Sequence, residues 1–197
     1  AVLLPLGKLI LTAFIATLIF VCITYLPIIK LIGMKISDYL KGAFEPWLIA
    51  FTTCSSAAAL AVNLEASRKM GASKAIASFA IPLGNTINMN GTSIYMGVTA
   101  VFAAEVFGID LTLAQQFQIV LMGVLAAVGT AGVPGAGLIM TTLVFTEVGI
   151  PLEAVALIAG IDRILDMPRT CVNVTGDATV AYLVDKSEKS NIEEPLY

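Results

Sequence analysis

The sequence predicts an all-α integral membrane protein built as an inverted repeat. Each half is a re-entrant helical hairpin followed by a transmembrane helix, and one of those helices is broken. Three observations carry this reading. Of 197 residues, 58% are hydrophobic and 13% charged, with mean hydropathy +0.92, far from the ~25% charged content of an ordinary soluble domain. Two stretches interrupt apolar sequence, residues 52–59 with a run of Thr, Cys, Ser and Ala, and residues 129–137 with a run too rich in Gly and Pro to stay regular helix. The last apolar stretch carries Asp162, Asp166, Arg169, Thr170, Asn173 and Asp177, which at ~100° per residue share an arc of about 100° on one helix face. Charges at such depth cost at least ~2.5–3.5 kcal/mol each unless they face protein or a wet cavity. The stripe is therefore expected to line a site for something small, polar and charged.

Residues 1–36 are expected to form a transmembrane helix and a connection, because 9–29 hold no charge and about twenty such residues cross a ~30 Å hydrocarbon core. Residues 37–72 are expected to form the first re-entrant hairpin. Within 40–66 two short apolar arms meet at Thr52-Thr53-Cys54-Ser55-Ser56-Ala57-Ala58-Ala59, and irregular backbone at such depth is tolerated only where protein or a water-filled cavity surrounds it. Residues 73–108 form a broken transmembrane helix, interrupted at Pro82-Leu83-Gly84 and again at Asn88-Met89-Asn90-Gly91-Thr92. Residues 109–150 form the second hairpin, with its tip at 129–137. Residues 151–186 form the striped helix, read as running from Leu152 to Val184, where Pro168 should introduce a kink and free the carbonyl of Ile164. Residues 187–197 are read as a cytoplasmic tail. The chain opens at Ala1 within apolar sequence, with neither an initiator Met nor a signal-peptide pattern, and is expected to be a piece of a longer protein with its N-terminal part absent.

Loop charge gives the orientation. Lys30, Lys35, Lys41, Arg68, Lys69 and Lys74 flank the first hairpin and Lys186 and Lys189 follow the last helix, whereas Glu105, Asp110, Glu147 and Glu153 flank the second hairpin. By the positive-inside rule the first hairpin opens to the cytoplasm, as does the C-terminus, in a multi-pass protein of the cell membrane. The hairpins then enter from opposite sides, as inverted repeats require. Asn88-Met89-Asn90-Gly91 and Asn173-Val174-Thr175-Gly176 repeat an N-x-x-G pattern.

The absence of histidine removes the usual general base and the usual zinc ligand. Net charge −3 with scattered Lys and Arg provides no groove for nucleic acid. Cys22, Cys54 and Cys171 lack metal or redox spacing and read as small buried thiols. Ser55 and Ser56 have no base beside them in sequence, which argues against hydrolysis. A channel would need a continuous pore rather than charges converging on a closed pocket.

An amino acid fits a site with anionic and cationic ends. Arg169 can grip a carboxylate through its fork of donors, Asp166 can hold an ammonium, and backbone N–H groups at the tips can receive a second carboxylate. The alternative is that Asp166 and Arg169, three apart, only neutralise one another. Hard cations want oxygen ligands: Asp177, Asn173, Asn88 and the Gly84 carbonyl are one candidate set, and Thr86, Met89 and Thr130 another. Asn88 and Thr92 read equally well as interhelical hydrogen-bonding residues.

Cys54-Ser55-Ser56, the Asn88-to-Thr92 segment, the second tip, and the run from Asp166-Met167-Pro168-Arg169 to Gly176-Asp177 occur in this order over nearly the whole chain. Together they resemble the glutamate/aspartate cation symporters, the dicarboxylate/amino acid:cation symporter family. The resemblance implies substrate contacts from Ser55 and Ser56, Thr92, Gly132 and Val133, Asp166, Arg169, Thr170 and Asn173. It implies sodium ions held by Gly84, Asn88, Asn173 and Asp177, by Thr86, Met89, Ala127, Val128 and Thr130, and in part by Asn88, Asn90 and Thr92. It also implies an elevator-type transport domain in which the second tip is the gate, with membrane lipid around it and a homotrimer formed through an N-terminal scaffold outside this chain. The activity implied is secondary active symport of aspartate or glutamate with sodium, not catalysis. The alternative is a proton- or sodium-coupled C4-dicarboxylate or neutral amino-acid symporter of the same family. The sequence departs from the family pattern at Asn90, where many sodium-coupled members carry Asp, at Cys54 and Met167, where an additional Arg is common, and at Ala61, where Pro is common. An amide at Asn90 is expected to weaken or delete a third cation site. Asp177 favours sodium over proton coupling.

Overall fold

The computed structural model describes residues 3–193, whose regular structure is all helix, with no strand among the described residues. Helix α1 (Leu3–Phe20) continues through a π-helical turn (Val21–Tyr25) into α2 (Leu26–Leu31). Together they form a 29-residue apolar stretch, long enough to cross a membrane and longer than the charge-free run alone suggests. The π turn, with Leu26 N–H bonded to Val21 O, directly precedes Pro27, which has no N–H to offer a regular helix. It carries Cys22 outward, so that thiol is exposed rather than buried, while Cys54 is buried and Cys171 half-buried. A charge-free helix gives no cue as to which face carries its one sulfur.

Helices α3 (Ile36–Thr53) and α4 (Ser56–Lys69) pack against each other across a two-residue connection. Cys54 closes α3 in the left-handed region at φ 53°, where a non-glycine residue is strained. Ser55 caps α4, its Oγ accepting from Ala58 N at 3.1 Å. Helices α5 (Lys74–Ile87) and α6 (Asn90–Val106) follow one another with a single break at Asn88 and Met89. The interruption expected at Pro82-Leu83-Gly84 does not occur. These residues lie inside α5, a proline-bearing helix being sustained by its surroundings in a packed bundle. Asn90-Gly91-Thr92 already forms the first turn of α6.

Helix α7 (Leu113–Val128) starts from a capping box, Thr112 with Gln115. A non-helical tip follows up to Gly135, whose φ of 76° starts α8 (Ala136–Val148). The striped segment is two helices rather than one: α9 (Glu153–Ala159) ends before Gly160 and Ile161, and α10 (Asp162–Glu193) carries the entire stripe, continuing helically through Pro168. Gly160 was the available signal for this break. Because α10 extends to Glu193, the expected tail is helical over 187–193, and 194–197 lie outside the described residues.

Helix α10 is the hub and touches α1, α3, α4, α5 and α6. On one side Leu9, Met96, Phe145, Ile158 and Leu165 form one apolar core; on another Ile29, Tyr39, Ile81, Ala181 and Tyr182 form a second. Between them α10 is secured by polar ties: Trp47 Nε1 donates to Thr175 Oγ1 at 2.8 Å, Asn63 Nδ2 to Val174 O at 3.2 Å, and Tyr182 OH to Ser67 O at 3.0 Å. Leu11, Leu18, Ile23, Phe79, Phe117 and Ile139 are among many large apolar side chains on the exterior, a surface suited to lipid rather than water.

Candidate binding site

All six residues of the α10 stripe are buried, with exposures from 7% at Asp162 down to 1% at Asp177. At the first turns of α10, Asp166 and Arg169 form a buried ion pair, Arg169 Nη2 to Asp166 Oδ2 at 2.7 Å and Arg169 Nε to Asp166 Oδ1 at 3.1 Å. The mutual neutralisation weighed from their spacing is therefore realised, but not alone. Thr170 Oγ1 donates to Asp166 Oδ1 at 2.8 Å, and Gly135 N of the second tip donates to Asp166 Oδ2 at 3.1 Å. Arg169 keeps one buried nitrogen, Nη1, with no hydrogen-bonding partner, and its guanidinium carbon lies 4.4 Å from the centre of the Tyr95 ring. Tyr95 OH in turn donates to Asp162 Oδ1 at 2.8 Å. Gly137 lets α8 approach, since a Cβ there would collide with Arg169 Nη1.

The two tips meet. Ser55 Oγ and Ala57 N both donate to Gly132 O, at 2.8 and 3.1 Å. Ser56 is buried beneath this contact, while Val133 is half exposed on the outer side of the second tip.

Below the ion pair, the helix break meets α10. Gly91 N donates to Asn173 Oδ1 at 2.8 Å, while Asn173 Nδ2 faces Met89 Sδ at 3.1 Å and Thr92 Oγ1 at 3.3 Å. Asn88 Nδ2 donates to Asp177 Oδ1 at 2.9 Å and to Asn173 O at 3.2 Å. Asn90 Nδ2 donates to Asn88 Oδ1 at 2.7 Å and to Tyr25 OH at 2.8 Å. Gly84 allows the closest approach of α5, since a Cβ there would stand 2.6 Å from Asp177 Oδ1. Gly84, Asn88, Asn173 and Asp177 thus come together around one buried carboxylate, with the Asn88 amide donating to Asp177 Oδ1 and to the Asn173 carbonyl.

The second predicted set is only partly assembled. Met89, Ala127 and Thr130 are buried, and Thr130 N donates to Ala127 O at 2.9 Å. Thr86 is exposed with its hydroxyl on Pro82 O, and Val128 is exposed. Among the described residues no hydrogen bond joins Thr86 or Met89 to the second tip. Sequence reasoning missed Tyr25 and Tyr95. Tyr95 was findable, because it lies three residues beyond Thr92 and so on the same helix face. Tyr25, delivered by a π turn, left no such signal.

Irregular tips over a buried ion pair, beside a buried polar cluster at a helix break, are thus set in an all-helical scaffold with an apolar exterior. The chain belongs to the sodium:dicarboxylate symporter family, whose sequence pattern matches residues 1–187. It is 37% identical over 192 residues to a proton/sodium-glutamate symport protein of Geobacillus stearothermophilus, covering 98% of this chain and 46% of the relative. It is 36% identical over 184 residues to a proton/glutamate-aspartate symporter of Escherichia coli, covering 93% and 42%. A C4-dicarboxylate transport protein of Bacillus subtilis is 38% identical over 186 residues, covering 93% and 44%. The chain spans a little under half the length of these curated relatives. The family is made up of membrane transporters, and these relatives are named for glutamate, aspartate or C4-dicarboxylates.

Proposed function

We propose that this chain supplies the substrate- and ion-binding part of a carrier that takes up an acidic amino acid, aspartate or glutamate, together with sodium. The single observation that carries the reading is the buried Asp166–Arg169 pair, held from the second tip by Gly135 N and left with a spare guanidinium N–H at Nη1. A buried pair is stable only while both charges stay partnered. An acidic amino acid can part it without leaving either charge alone, its ammonium going to Asp166 and its side-chain carboxylate to Arg169. A C4-dicarboxylate brings no ammonium for Asp166, and a neutral amino acid brings no carboxylate for Arg169.

Ser55 and Ser56, Thr92, Gly132, Val133, Thr170 and Asn173 complete the substrate set. Sodium is carried as a co-substrate by Gly84, Asn88, Asn173 and Asp177, with Met89, Ala127, Thr130 and the carbonyls of Thr86 and Val128 as a second set. Asn90 contributes only an amide to any third. The α3–α4 and α7–α8 pairs act as re-entrant hairpins of opposite orientation, the first opening to the cytoplasm. The second tip is the gate of an elevator-type transport domain, and a trimeric scaffold would come from sequence outside this chain. Uptake into liposomes holding the full-length protein tests the reading. With an inward sodium gradient, labelled aspartate or glutamate should accumulate at least tenfold over serine and succinate. Preferential accumulation of succinate would move the protein to the C4-dicarboxylate carriers.

A further inference from the structure

Asn85 has no part in the reading above, although it lies on α5 between Gly84 and Thr86. Its Oδ1 is buried without a hydrogen-bonding partner, and so is Ser56 Oγ. Both oxygens border Gly132 of the second tip. A Cβ on Gly132 would collide with Ser56 Oγ, and would stand 3.3 Å from Ala57 N and 3.5 Å from Asn85 Oδ1. The second tip therefore covers both oxygens with a C–H group while its own carbonyl is bonded down by Ser55 Oγ and Ala57 N. Seating this tip makes two hydrogen bonds and shuts two oxygens away from any donor. Burying a polar atom without a partner is unfavourable, and lifting the tip returns both atoms to water.

We propose that Asn85 is a positioning residue that sets the balance between the seated and lifted second tip. Its covered oxygen opposes seating, so that the tip held by Ser55 and Ala57 still lifts readily. The proposal rests on the second tip being the gate. An apolar side chain at position 85 removes the opposition from the seated state alone, so the tip seats more firmly, substrate is held more tightly and release slows.

The test uses the full-length protein in liposomes, in medium free of sodium and substrate, and reads hydrogen–deuterium exchange at the first tip, where the amide of Ala57 is bonded to Gly132 O while the second tip is seated. Asn85→Ala should exchange there about tenfold more slowly than the parent. Asn85→Asp, which places a costlier group under the tip, should exchange faster than the parent. Opposite shifts from two variants at one position do not arise from a general loss of structure. Unchanged exchange in Asn85→Ala, or shifts of both variants in the same direction, overturns the proposal. A parent protein whose exchange ignores sodium with aspartate overturns the gate reading, and the proposal with it. A substrate-protected parent beside an inert Asn85→Ala overturns the role of Asn85 alone.

Discussion

Replacing Arg169 by cysteine is expected to weaken aspartate binding by roughly 10²–10⁴-fold, the counterpart of the ~3–5 kcal/mol lost when one partner of a buried ion pair is removed. Two features make this position costly. Arg169 holds Asp166 through two nitrogens and stacks on Tyr95, and its remaining nitrogen, Nη1, is the buried donor the protein leaves unpartnered. The variant should also gain serine binding. Asp166 keeps its bonds from Thr170 and Gly135 and still welcomes an ammonium, while no unpaired guanidinium penalises a substrate without a second carboxylate. Competition titrations with labelled aspartate, serine and succinate read both changes. Unaltered aspartate affinity with no gain for serine would remove Arg169 from the substrate site.

Asp177→Asn is expected to raise the sodium concentration giving half-maximal aspartate binding by about tenfold or more, because a carboxylate offers a cation a full charge where an amide offers a fraction. The substitution preserves shape beside Gly84, where there is no room for a bulkier group, so the fold should survive. Asn88 Nδ2 can still donate to the new amide oxygen. The sodium midpoint of aspartate binding checks the outcome, and an unchanged midpoint would show that Asp177 serves only to hold Asn88 in place.

Much of this site was legible because the energetic stakes are visible in sequence. Six polar or charged residues on one face of an apolar segment have almost nowhere to go but an interior, and all six are buried. The tips were legible through residues that disfavour helix, and the break at Asn88 and Met89 through polar residues in the middle of an apolar run. The same reasoning placed a second break at Pro82-Leu83-Gly84, where α5 in fact stays helical. Local propensity marks both segments alike, and packing decides between them. It overlooked Gly160, where a modest propensity cost does end a helix. What stayed hidden was tertiary. Nothing local says that Tyr25 reaches Asn90, that Tyr95 lies beneath Arg169, or that Gly132 covers Asn85, because each contact joins elements whose relative placement is set by the two apolar cores.

If an acidic amino acid and sodium bind together at the α10 stripe, each raises the affinity for the other. The most direct measurement is aspartate affinity titrated at stepped sodium concentrations, with choline as the replacement and pH held constant. Sodium ions at the two proposed sets, around Asp177 and around Thr130, are both linked to the substrate, so affinity should rise more steeply than the first power of sodium, by more than tenfold for each tenfold step. Aspartate binding that ignores sodium and follows pH alone would contradict the account.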